Sequence, residues 1–312
     1  MKPDREKLNE DPNLYLQTVI KEYVSSSPTN RLPKYNNEPV VDEPLVGFAN
    51  GDDAIFKDYK DKNIIGNFHL LPKEAMLSYL WRQGKSRGEK EISSLSVISV
   101  VFTDTLNTRL SNRQETSIAS PRWQSAYYRG FVLLLETLDY IVTMLEELGY
   151  QSVAPLNVEP NLFLWDPHGG GPTIDWSERH AAYAAGLGTF GLNSDLITPR
   201  GLAVQCGSVI TDLLVPPTLR IYDNHYNNCL YYQNGSCQQC VRRCPSGAIS
   251  KQGYNKMKCF NYHEIDLVKI SKDLGRAIEP GETHPLCALC MTKVPCEDRI
   301  PPAISAKLSC LQ

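Results

Sequence analysis

The chain has no apolar run approaching the roughly 18–20 residues that span a bilayer. Its charged opening, Met1 to Pro12, lacks both an apolar stretch and a twin-arginine pair, so it does not read as a secretory leader and a cytoplasmic protein is expected. No Lys/Arg-rich run occurs. With a net charge of −3 and a pI near 6.1, this argues against a dedicated nucleic-acid binder. No internal repeat with a period of 20–50 residues stands out. Cysteine is missing from the first 205 positions, and all ten cysteines lie between Cys206 and Cys310. In a reducing compartment such a concentration points to metal ligands rather than disulfides. A body and a cysteine-dense tail are thus expected, with the break near Pro216 and Pro217.

The body reads as mixed α/β (α+β), with helices on a sheet. Residues 1–45 look like an N-terminal arm with short pieces of structure. A helix is expected from Leu71 to Lys85, with Pro72 in its first turn and Gly84 after its end. Ser96 to Phe102 reads as a buried strand. Residues 103–122 read as a long polar loop. From Trp123 to Leu148, apolar residues recur at helical spacing and Gly149 closes the run. Ser177 to Ala185 is a further helix and Val204 to Thr211 a further strand.

In the tail, Cys237, Cys240 and Cys244-Pro245 form C-x2-C-x3-C-P, the second half of a bacterial ferredoxin run. Cys287, Cys290 and Cys296 form a looser copy. In two-cluster ferredoxins the cysteine before proline ligates the other cluster. That rule assigns Cys229, Cys237, Cys240 and Cys296 to one [4Fe-4S] cluster, and Cys244, Cys259, Cys287 and Cys290 to a second. Regular spacing would put a ligand at Asn234, so Cys229 must loop in, or the first site keeps three thiolates. Two structural zinc sites are the alternative; the Cys-Pro ending, the x3 spacing and the isolated Cys259 favour iron–sulfur. Cys206 is expected to be a small buried hydrophobe, and Cys310 is left over.

Gly186, Gly188 and Gly191 satisfy G-x-G-x-x-G, but they follow a helix instead of a strand, so a dinucleotide site is not indicated. Glu178, Arg179, Ala182, Ala185 to Gly188, Gly191, Asn193 and Thr211 to Leu213, followed by the cysteine tail, resemble the epoxyqueuosine reductase and reductive dehalogenase superfamily. The resemblance covers roughly residues 45–300. It implies a nitroreductase-like cobalamin-binding domain over 46–218 and a two-cluster ferredoxin-like domain over 219–312. It further implies cobalamin held base-off and reduced one electron at a time through the clusters. Gly186, Leu187, Gly188, Thr189, Gly191, Asn193 and Gly207 are the implied cobalamin contacts. A low-potential donor such as a ferredoxin, flavodoxin or flavin reductase is the implied partner.

The sequence departs from the family at the proton donor. Epoxyqueuosine reductases carry an aspartate six residues before the glutamate of Glu-Arg, whereas Asp175 and Asp166 lie three and twelve residues before Glu178. Dehalogenases use a tyrosine with a basic partner. Tyr127, Tyr128, His69, Asp166 and Asp175 are therefore all candidates. The remaining histidines read as structural, and Arg242 and Arg243 as solvated charges near a redox partner's docking face. Asp166, His168 and Gly171 also match D-x-H-x-x-G, the motif through which another cobalamin family ligates cobalt. Lacking the Rossmann-like context, it reads as a glycine-rich loop, with a substrate-side lining or cobalt ligation as alternatives. Three functions compete: reduction of a small electrophile such as an organohalide, reduction of cobalamin alone, and modification of tRNA.

Overall fold

A computed structural model describes residues 3–85, 94–158, 164–166, 171–202, 204–276 and 281–304. The chain begins with α1 (Arg5–Glu10) and α2 (Pro12–Ser26), then β1 (Leu45–Asn50), α3 (Ile55–Asp58) and α4 (Pro72–Arg82). There follow β2 (Ser96–Thr103), α5 (Leu106–Arg113), the long α6 (Pro121–Glu147), and the short strands β3 (Ser152–Val153), β4 (Leu164–Asp166) and β5 (Gly171–Thr173). The body ends with α7 (Glu178–Ala184), β6 (Thr189–Phe190), β7 (Leu196–Ile197) and β8 (Val204–Thr211). The tail holds α8 (Leu230–Asn234), α9 (Gln239–Arg243), β9 (Ile249–Ser250), β10 (Gly253–Tyr254), α10 (Lys256–Asn261) and α11 (Leu267–Asp273).

Four strands form an antiparallel sheet in the order β1-β2-β8-β3. All eight residues of β2 are buried, because helices cover both faces of the sheet. Ile98, Val100 and Phe102 point to the side of α2 and α6, and Val97 and Val101 to the side of α4 and α7. A continuous β-branched run is the sequence mark of a strand buried on both faces. The architecture is mixed α/β, as expected.

The helix signals act as their chemistry dictates. Ser120 Oγ accepts from the Trp123 amide at the start of α6, where Pro121 occupies the first turn. Pro72 opens α4, and Glu74 reaches back to the Leu71 amide at 2.8 Å. No described helix is long and apolar enough to cross a membrane.

Two expectations change. Residues 1–45 are not a loose arm: Asp11 caps α2, and Leu16, Val19, Ile20 and Val24 enter the main core. The stretch 103–122 is not a loop throughout, because it contains α5. Its buried face carries Thr108 and Asn112, satisfied by hydrogen bonds, so no apolar stripe betrayed it.

Candidate iron–sulfur site

Cys229, Cys237, Cys240 and Cys296 line a single small cavity, otherwise walled by apolar and backbone groups from Gly191, Leu192, Ile197, Val294 and Pro301 among others. Cys229 caps α8 and is buried, whereas Asn234 sits exposed at the far end of that helix. The Leu202 amide donates to the Cys296 carbonyl at 3.0 Å, tying the last ligand position to the body. Burial and the neighbouring Cys229 and Cys237 push the Cys240 thiol up to about 12, and Cys296 is raised by the same causes.

The second group sits behind this one. Cys287 lies within electrostatic range of Cys259 and Cys244, and Cys290 within range of Cys287 and Cys259. Burial is the main cause of the raised thiol pKa in both. Arg243 is no solvated surface charge. Its guanidinium donates to the carbonyls of Leu289 and Thr292 at 3.1 Å, to those of Glu115 at 2.7 Å and Asn112 at 3.2 Å, and to Thr292 Oγ1 at 3.2 Å. One planar fork thereby clamps the Cys287–Cys290 loop to α5. Among the described residues, no three His, Cys, Asp or Glu side chains converge tightly enough for a single ion.

The glycine segment, expected to cradle a corrin, is closely packed against other parts of the chain. A Cβ on Gly188 would lie 2.5 Å from the Ile197 carbonyl oxygen, one on Gly186 2.9 Å from that of Leu219, and one on Gly207 2.8 Å from Leu138 Cδ1. These glycines let chain approach chain closely on the side where a Cβ would stand. Leu187 packs against Gly47 of β1. Thr189 is fully buried and accepts from the Asn228 amide at 2.8 Å, while Asn228 donates to the Ile197 carbonyl at 2.9 Å, which seats Cys229. Gly191 and Asn193 line the first thiol cavity. The segment thus packs against β7 and the cysteine tail and borders the first thiol group.

Of the candidate acids, Asp175 is committed elsewhere: Tyr79 Oη donates to one carboxylate oxygen at 2.5 Å and Arg82 to the other at 2.7 Å. His69 is 1% exposed; its Nε2 accepts from the Ser177 amide at 3.2 Å and its ring stacks on Trp176. Burial lowers its pKa to about 4, so it holds no proton to give near neutrality. Tyr128 Oη bonds to the carbonyl and amide of His284, both at 2.8 Å, and anchors α6 to the tail. Asp166 ends β4, with its side chain outside the described residues, as are Pro167 to Gly170 of the D-x-H-x-x-G match and Cys310.

Tyr127 is the exception. Burial raises its hydroxyl pKa and the Arg179 guanidinium opposes this, yet the side chain remains over a third exposed. Arg179 pairs with Asp195 at 3.5 Å and is itself 53% exposed. Asp195, Tyr254 and Cys206 each lie within electrostatic range of Arg179, and Cys259 and Cys290 stand close behind. These side chains cluster next to the second thiol group, with Tyr127 and Arg179 open to water. Cys206 is partly buried and packs against the apolar core beneath, in keeping with the small hydrophobe expected there. Arg179 and Asp195 were not singled out as site residues from the sequence; Arg179 stood in the matched motif, a usable signal, but Asp195 had none.

Glu178, beside Arg179, is buried. It accepts from Ser208 Oγ at 2.6 Å, and Trp176 Nε1 donates to the same hydroxyl at 3.0 Å. Desolvation raises its pKa to about 8.

No protein-family model matches the chain. A 92-residue stretch is 35% identical to an epoxyqueuosine reductase of Bacillus anthracis. This stretch is epoxyqueuosine reductase-like. It covers 29% of this chain and 22% of that relative, so the match spans about a fifth of the relative's length. A Listeria monocytogenes epoxyqueuosine reductase matches over the same length at 36% identity and covers the same shares of the two chains. Among solved structures, an epoxyqueuosine reductase aligns over 93% of this chain and 69% of its own with a TM-score of 0.48 and 18% identity.

Proposed function

We propose that the protein is an oxidoreductase that passes single electrons through two [4Fe-4S] clusters to an acceptor beside the exposed Tyr127 and Arg179, for reduction of a small electrophilic substrate. The supporting observation is the sorting of eight thiols into two groups of four, one of them around an apolar cavity. A cubane spreads its thiolates around such a space, whereas tetrahedral zinc draws them to one point. When bound, the clusters supply low-potential one-electron chemistry. The buried thiols hold their protons until metal arrives, so loading releases protons.

Cobalamin is the acceptor implied by the resemblance. No step is derived through it. The protein's own contribution beside Tyr127 and Arg179 is a proton and a positive charge. Tyr127 gives the proton, and Arg179 stabilises the phenolate left behind. Anaerobically loaded protein, reduced with dithionite, is expected to be reoxidised by organohalide or epoxide probes, with Tyr127→Phe at least about 100-fold slower. Failure of every such probe to reoxidise it overturns this reading.

The sequence match favours a second reading, reduction of epoxyqueuosine in tRNA. Twelve Lys and Arg against eight Asp and Glu after residue 218 give the tail a positive surplus that a phosphate backbone could meet. Salt-dependent retention of a tRNA stem-loop would support it. No retention at low salt removes it.

A further inference from the structure

We propose that Asn193 is a tuning residue between the two clusters, its side-chain amide biasing the electron toward the cluster held by Cys290. This inference rests on the two-cluster reading and goes beyond it. Asn193 lines the cavity shared by Cys229, Cys237, Cys240 and Cys296. Its Nδ2 donates to the Cys290 carbonyl at 3.3 Å. The residue is 4% exposed, so no water substitutes for that donor. One buried side chain therefore touches the surroundings of both thiol groups.

Its orientation is fixed from three sides. Nδ2 also donates to Asp195 Oδ2 at 3.0 Å, and Oδ1 accepts from the Asp195 amide at 3.4 Å. Position 191 has to be glycine for this, since a Cβ there would fall 2.6 Å from Asn193 Oδ1. Asp195 in turn pairs with Arg179 at 3.5 Å. A continuous polar chain thus runs from the exposed Arg179 through Asp195 and Asn193 to Cys290. An N–H donated to the backbone of a ligand cysteine sets a positive dipole end beside its cluster, which stabilises the more negative, reduced form and raises the potential. A higher potential at the second cluster makes transfer from the first cluster toward Arg179 downhill.

The test is an EPR-monitored redox titration of the anaerobically loaded full chain as wild type, Asn193→Ala and Asn193→Leu, with iron counted in each. The leucine variant keeps the branched shape, has no N–H donor and adds no charge. It therefore decides the matter even if the alanine variant loses iron. One of the two midpoints is expected to fall by a factor of about ten in the reduction equilibrium constant, equal to about 59 mV for one electron, while the other holds. With both clusters present, unchanged midpoints or equal shifts of both would overturn the tuning role. Wild-type protein that takes up no iron would instead refute the two-cluster reading beneath it.

Discussion

Replacing Arg243 with alanine is the sharpest structural test available. The wild-type side chain makes five hydrogen bonds, four to backbone carbonyls and one to Thr292 Oγ1. Burial disfavours its charge, while the thiols of Cys287 and Cys290 favour it. A charged donor contributes about 1.5–3 kcal/mol in isolation, but bonds from one group are not additive, and carbonyls near the surface regain water. The net loss should be about 3–4 kcal/mol. At about 2 °C per kcal/mol for a chain of this size, the melting midpoint should fall by about 6–8 °C. Thermal unfolding followed by near-ultraviolet circular dichroism on loaded protein reads this directly. Arg243→Lys should recover less than half, because an ammonium cannot reproduce the planar fork. A midpoint within about 2 °C of wild type for the alanine variant, with iron retained, would refute the clamp.

Glu178 gives a pH signature. Its folded-state pKa of about 8 lies above the ordinary 4.5, so the native state holds a proton that the unfolded state releases. Stability should therefore fall as pH rises from about 4.5 to 8, by up to about 1.4 kcal/mol per unit. Glu178→Gln keeps the oxygen facing Ser208 and should flatten that slope; urea unfolding across the window checks it, and an unchanged slope contradicts the assignment. Gly207→Ala should cost about 1–3 kcal/mol by pushing α6 off β8, since the added methyl meets Leu138. Equal stability of that variant would contradict the importance of this contact.

Much of the sheet and its helices could be read from the sequence, because β2 and α6 bury unbroken or helically spaced apolar residues. The division of the cysteines also lay in their spacing: C-x2-C-x3-C-P forces the ligand before proline away from its neighbours. What stayed hidden depends on polar side chains whose partners are distant in sequence. Asn112 and Thr108 made α5 look like a loop. Arg243 looked solvated because its acceptors come from residues 112, 115, 289 and 292. His69, His180 and His225 surround Tyr59 although 156 residues separate the first from the last, a grouping no local pattern reveals. The glycine motif misled for a related reason. Glycine marks close approach but does not say whether a ligand or another stretch of chain approaches; here Gly186 meets the start of the tail, and Gly188 and Gly191 meet residues 193–197 of the body.

The central claim is that the eight thiols hold two cubanes. Iron and acid-labile sulfide, counted per chain on protein purified and reconstituted without oxygen, test it most directly. The account predicts about eight of each, with a broad visible absorption that bleaches on reduction by dithionite. Stoichiometric zinc with a colourless solution would contradict it.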